Sequence, residues 1–176
     1  MCACEDFIGT QNVPTKVHRT TFNDIDGAYS VGDMLIPQLT PLSCATRGKG
    51  MAMHVLGIKV WEKSPAGSQV KASLRLHFYQ KQFTPPAQND PFKGPPAADY
   101  TTYLGYHDVA TAAYDEVGDG TGTDPDYALA HYIAGQQKLM RAGSETNTLW
   151  YNVEIREAKT YATPSELTIE IETELH

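Results

Sequence analysis

An apolar side chain at every second position is the feature that most narrows what this chain can become. From Gln69 onward the sequence sets Val70, Ala72, Leu74, Leu76 and Phe78 against Lys71, Ser73, Arg75, His77 and Tyr79. Neighbouring residues of an extended strand face opposite ways, so such a segment puts one row into a core and the other toward polar surroundings. Leu149, Tyr151, Val153 and Ile155 stand in the same relation to Trp150, Asn152, Glu154 and Arg156. Near the end, Leu167, Ile169, Ile171 and Leu175 alternate with Thr168, Glu170, Glu172 and Glu174. Between Met51 and Trp61 both parities are apolar, with Ala52, Leu56, Ile58 and Val60 on one and Met53, Val55 and Trp61 on the other. That pattern predicts a central strand, or one covered by a second layer. Shorter strands are expected around Val17 to Phe22 and Met34 to Leu39.

The segments between these runs carry turn chemistry. "DIDGAYSVGD" separates the two early strands, and "EAKTYATPSE" suits a connection between the last two. "EKSPAGSQ" reads as a hairpin-like loop, Pro65 and Gly67 supplying the bend. From Asp124 to Ala142 the signals conflict. Asp124 is placed as an N-cap, Pro125 as a first helical residue, and Leu129, Tyr132 and Ile133 fall at helical spacing, which predicts a short helical turn followed by a strand. A strand from Tyr132 to Arg141 competes with it. The sum is about eight strands with little helix, and such a chain hides its apolar faces by stacking two sheets. An all-β, antiparallel β-sandwich is therefore expected, with residues 1–16 as an N-terminal arm and 17–176 as one domain, a size that 176 residues at 41% hydrophobic content supports.

Charge and motif content exclude several functions. The formal charge is -7 and the 14 Lys and Arg are scattered, leaving no basic footprint for a phosphate backbone. No apolar run approaches the roughly 18 to 20 residues of a membrane span. "MCACEDFIG" has neither a basic nor an apolar segment, so a cytoplasmic setting is the default expectation. In that setting Cys2, Cys4 and Cys44 are free thiols, since no second cysteine pair completes a metal site. Phosphate-loop, dinucleotide and nucleophile-elbow motifs are absent. His18, His54, His77, His107, His131 and His176 show no ligand spacing, so the sequence points to no metal, no cofactor and no enzymatic activity.

Two segments carry candidate binding residues. In "YDEVGDGTGTDPD", Asp115, Glu116, Asp119, Asp124 and Asp126 surround glycines and could offer oxygen ligands to Ca²⁺, although the spacing is not that of an EF-hand and a solvated loop uses the same residues. Tyr100, Tyr103 and Tyr106 could stack on sugar, or serve as core or interface residues. The other segment is "SLRLHFYQKQFTPPAQNDPF", where a regular strand runs into a proline-stiffened aromatic extension. Prolines lower the entropy lost when such a loop is ordered. Phe83, Pro85, Pro86, Pro91, Phe92 and Tyr100 are its candidate anchors, either over the open end of the sandwich or on a neighbouring subunit.

The order of these features resembles a known group. "DGAYSVGDML", with its Tyr-x-x-Gly-Asp, is followed by "GIKVWEKSPAGSQVKASLRLHFYQKQFTPPAQNDPF" and then by "TLWYNVEIREAKTYATPSELTIEIETEL". A strand ending in Leu-x-Phe, a Pro and Asn-Asp loop closed by Phe, and a final pair of strands joined through a Thr-Tyr connector together resemble small structural proteins of tailed bacteriophages. The correspondence covers most of the chain beyond Val17. This chain departs from it with Leu149-Trp150-Tyr151 in place of a Leu-Tyr pair and with a longer loop from Asp115 to Asp126. The resemblance implies a jelly-roll-like virion component without enzymatic activity, most simply a capsid decoration or cement protein on the head surface, assembled in the host cytoplasm. It implies contacts with the major capsid protein and with copies of itself as a trimer or dimer. A neck, tail or spike component is the alternative within that class. A calcium-dependent carbohydrate-binding sandwich is the alternative outside it.

Overall fold

The computed structural model describes residues 15–63, 69–117, 127–133 and 139–176. Ten strands run through them: β1 (Thr15–Tyr29), β2 (Met34–Leu42), β3 (Ala52–Lys63), β4 (Leu74–Tyr79), β5 (Tyr103–Val109), β6 (Tyr114–Val117), β7 (Tyr127–Ile133), β8 (Leu139–Arg141), β9 (Leu149–Ile155) and β10 (Lys159–Leu175). Two short 3-10 turns, Ala97–Thr102 and Thr111–Ala113, are the helical elements, and no α-helix occurs among the described residues.

The pairing is nested and antiparallel throughout: β1 with β10, β2 with β9, β3 with β7, and β4 with β5. Setting aside the short β6 and β8, the first strand pairs with the last, the second with the next to last, and so inward to the centre. This is one long ribbon folded across itself into two sheets. One sheet has the order β1-β10-β3-β7-β6, with β8 also on β3, and the other β2-β9-β4-β5. That connectivity is a jelly roll, and the all-β sandwich expected from strand counting holds.

The inward rows are those the alternation marks. Ala72, Leu74, Leu76 and Phe78 are fully buried, as are Leu149, Val153 and Ile155, and they meet Val60, Ile58, Ile169 and Ile171 of the other sheet. Strand β3 is central, as its pattern predicts, with β10 on one side and β7 and β8 on the other, but its two apolar parities have a further cause. Gly57 lies opposite Glu172 and Val55 opposite Thr173, so Leu56 is an extra residue in β3. A bulge of this kind swaps the parity. Met53 and Val55 point inward before it, Ile58 and Val60 after it, and one apolar face has changed its sequence register.

Other boundaries shift for physical reasons that short-range signals do not contain. Consecutive β3 and β4 belong to different sheets, so the segment read as a hairpin-like loop joins the two layers. Pro65 and Gly67, expected to supply the bend, lie outside the described residues. Strand β1 runs on through "DIDGAY" by way of bulges, with Asp24 at φ 61° and Gly27 at φ 91°, and the turn falls at Ser30–Asp33. Most of "EAKTYATPSE" belongs to β10, which pairs with β1 alone up to Ser165; Pro164 sits where β3 makes no claim on its missing N–H. The helical turn expected at Leu129–Ile133 is strand β7, held between β3 and β6. Tertiary pairing overrides the local helical spacing there.

Two deletions test the bulge. Removing Leu56 leaves a regular ladder with Met53, Val55, Ile58 and Val60 still inward, and is expected to cost within about 1–2 kcal/mol. Removing Lys59 forces Ile58 or its neighbours out of the core and is expected to cost several times more. Urea unfolding followed by circular dichroism distinguishes them; equal losses would show that the bulge does not set the register.

Candidate functional site

The outward row of β4 and β9 should face water by its sequence pattern, yet His77 is 2% exposed, Tyr79 and Asn152 are fully buried and Glu154 is 4% exposed. Pairing brings them together: His77 lies opposite Asn152 on β9 and Tyr106 on β5, and Arg75 opposite Glu154 and Asp108. What covers them is residues 80–102, the proline-rich extension.

This strap is fastened at both ends and in the middle. The Gln80 N–H donates to Thr102 O at 2.8 Å, and its side-chain amide donates to Ala142 O at 3.0 Å. Phe83 meets Tyr79 edge-on, with ring centroids 4.8 Å apart. Phe92 stacks on the His77 ring at 3.9 Å and 13°. Around that stack the strap pairs with the start of β2: Met34 N–H donates to Asp90 O, Asn89 N–H to Met34 O, and Phe92 N–H to Gly32 O, at 2.8, 2.9 and 2.8 Å. Gln88 Nε2 donates to the Tyr29 hydroxyl at 2.7 Å. Gly32 holds φ 93°, a left-handed geometry that disfavours other residues.

The strap therefore lies over the outer face of the four-stranded sheet, not over an open end of the sandwich. Phe83, Pro85, Pro86 and Phe92 are half-buried against their own domain, and Pro91 is exposed while its backbone bridges Asp33. Tyr100 is 69% exposed. The tyrosines do not form an open platform, because Tyr103 bonds to His77 and the Arg75 guanidinium sits 3.7 Å over the Tyr106 ring. Of the candidate calcium ligands, Asp115 lies on β6, and Asp119, Asp124 and Asp126 lie outside the described residues.

Beneath the strap is a charged network. His77 Nε2 meets Glu154 Oε2 at 2.7 Å and His77 Nδ1 meets the Tyr103 hydroxyl at 2.9 Å. Arg156 donates to the other Glu154 oxygen at 2.5 Å. Burial pushes the Glu154 carboxyl up, but the hydrogen bonds from His77 and Arg156 outweigh it and hold the group below its ordinary value. Burial raises the Tyr103 phenol to about 12, and the Tyr79 phenol, which donates to Asn152 Oδ1 at 3.1 Å, is raised further. Both ring nitrogens of His77 are engaged by sheet residues, which ties β4 to β9 and β5, and the strap is seated on that ring through the Phe92 stack. Arg75 closes its rim with two bonds to Asp108, at 2.6 and 2.8 Å.

Sequence patterning missed two further features. Glu62 is fully buried, accepts the N–H groups of Val70 and Lys71, and has its carboxyl raised by burial. His54 and, more than a hundred residues later, Glu174 and His176 converge on the outer face of the six-stranded sheet. Cross-strand register, which no local spacing reveals, brings that trio together.

No protein-family model and no curated protein matches the chain. Among solved structures it is similar to desmodium yellow mottle tymovirus, at 13% identity over 95% of this chain and 84% of that one, with a TM-score of 0.23. It is also similar to the infectious bursal disease virus VP2 subviral particle, at 13% identity over 91% of this chain and 41% of that one, with a TM-score of 0.21. With scores of this size, the fold rests on the strand connectivity described above.

Two outcomes follow from these electrostatics. Glu154→Ala strands the buried His77 and is expected to cost about 3–5 kcal/mol in denaturant unfolding; a loss under about 1 kcal/mol would show the network to be inert. For pH, burial and Lys16 lower His18 to about 4, and Arg19 lowers Glu170. An unfolded histidine takes its proton near 6.5, so stability is expected to decline as pH falls from about 6.5 toward 4. Below about 4.5 the decline should steepen, as Glu154 and Glu170 lose the stabilisation their ionised forms supply. Urea midpoints at successive pH values check this, and His18→Gln should flatten only the upper part.

Proposed function

We propose that the chain is a structural component of a virus particle, and within that class a decoration or cement protein on the head of a tailed bacteriophage. In this reading it binds the major capsid protein and further copies of itself, as a trimer or dimer, and performs no catalysis. The observation that carries it is where the polar and apolar groups lie. The sandwich interior is filled by Leu, Ile, Val, Phe and Met, and the buried charges beside the strap are sealed. Val31 at the β1–β2 turn, Tyr100 and Tyr106 stay exposed around that same strap.

Aromatic and aliphatic anchors on a pre-ordered frame are what a protein contact needs, because little side-chain or loop entropy remains to be lost. The strap supplies that frame, with Phe83 and Phe92 committed to holding it. The jelly-roll connectivity also occurs in lectins and cupins, so the fold alone does not choose among functions. An order of sequence features that resembles tailed-phage structural proteins favours the virion reading, and the charge of -7 suits a subunit kept soluble before incorporation.

Deleting the whole strap would uncover His77, Tyr79 and Glu154 and so confuse folding with binding. A cleaner experiment mixes the intact protein with purified heads that lack it and follows co-sedimentation. Saturable retention is expected, and Val31→Asp and Tyr100→Ala, each folded by circular dichroism, should weaken it at least tenfold. Absence of retention together with a monomer at high concentration would overturn the proposal, as would calcium-dependent binding to a glycan array.

A further inference from the structure

We propose that His54, Glu174 and His176 form a divalent-metal site of zinc type on the outer face of the six-stranded sheet. The ladder between β3 and β10 sets Glu174 directly opposite His54. His176 follows two residues later, hence on the same face, and its N–H donates to Ala52 O at 2.8 Å, which extends the ladder past the strand's end. Met53 and Val55 flank His54 and are fully buried, so His54 projects outward.

The donor atoms lie at ligand separations. His54 Nδ1 is 2.8 Å from His176 Nε2, and each of these nitrogens is 3.5 Å from Glu174 Oε2. Tetrahedral zinc with bonds of about 2.0–2.2 Å holds its ligands roughly 3.4 Å apart. The two histidine–carboxylate distances already match, and the histidine pair needs to open by only about 0.6 Å on this estimate. The side chains are 22%, 26% and 38% exposed, sheltered yet open on one side, where water or another donor would complete the fourth position.

Donor chemistry narrows the ion. Two imidazoles and one carboxylate suit Zn²⁺ or its transition-metal neighbours, whereas Ca²⁺ and Mg²⁺ call for oxygen ligands. Leu139, opposite His54 on β8 and 57% exposed, gives one apolar border to the site. An ion here would clamp the start of β3 to the end of β10 and stabilise the fold in proportion to its occupancy.

The test uses untagged, metal-free protein with Cys2 and Cys4 changed to Ser, because those thiols could bind zinc by themselves. Titration with Zn²⁺ by calorimetry should give one site per chain, and Co²⁺ should give the visible absorption of a tetrahedral complex. The thermal midpoint should rise with Zn²⁺ and return on chelation. His54→Ala, His176→Ala and Glu174→Gln should each weaken binding at least tenfold, while His18→Gln should leave it unchanged. His54→Gln, which keeps a hydrogen-bonding side chain, serves if the alanine variant fails to fold. No saturable zinc binding, or binding that survives loss of either histidine, would overturn the proposal and leave a hydrogen-bonded histidine pair beside a carboxylate.

Discussion

Strand β10 is hydrogen-bonded along both sides, to β1 and to β3, and the architecture depends on that doubled ladder. It brings Leu167 opposite Phe22, and Ile169 and Ile171 opposite Val60 and Ile58, so residues more than a hundred positions apart build one apolar layer. The nested order of the other pairs then follows, since a ribbon whose outer strands are joined has limited ways to fold its inner ones. Such long-range pairing pays loop-closure entropy before it gains contacts, which places the chain among slow-folding topologies.

The strap solves a problem the ribbon leaves behind. The four-stranded sheet ends at β2, an edge strand whose backbone would otherwise offer unpaired groups along "GDM". Asn89, Asp90 and Phe92 occupy those groups, and the same segment lays Phe92 over His77. Edge pairing and ring stacking hold the strap in place together. The buried His77–Glu154–Arg156 network beneath is weak evidence for net stability, because desolvation offsets much of the attraction. What it supplies is geometry: the Glu154 carboxylate and the Tyr103 hydroxyl hold the imidazole on which the Phe92 ring of the strap stacks.

What the chain's sequence made legible was the core-facing row of its regular strands. The inward rows of β4, β9 and β10 could be read from alternation because side-chain parity in a strand is a local property. Sheet membership was not legible, since turn residues such as those in "EKSPAGSQ" are compatible with a hairpin or with a change of layer. The Leu56 bulge mimicked a strand apolar on both faces, and only its partner on β10 identifies the extra residue. The spacing of Leu129, Tyr132 and Ile133 mimicked a helix for a related reason: short runs satisfy either period, and β3 and β6 decided between them. Phe83 and Phe92 could be marked as anchors, but their target, the polar row of their own sheet, is defined by pairing that brings β4, β5 and β9 together. The His54–Glu174–His176 trio was invisible on the same grounds.

The remaining edges are managed in ways that decide how this domain can meet another. Strand β1 is broken by bulges near Asp24 and Gly27, and Lys16 reaches Ser43 O across its flank. Strand β5 carries the Arg75–Asp108 pair on its outer row, and β2 contains Pro37 and Pro41 besides its strap. Bulges, charges and prolines all oppose continuation of a sheet into a neighbouring molecule. Strand-to-strand addition is thus disfavoured at these edges. Association through side chains on the faces and rims is the route these three edges leave open, which gives the exposed Val31, Tyr100 and Tyr106 their weight in a contact.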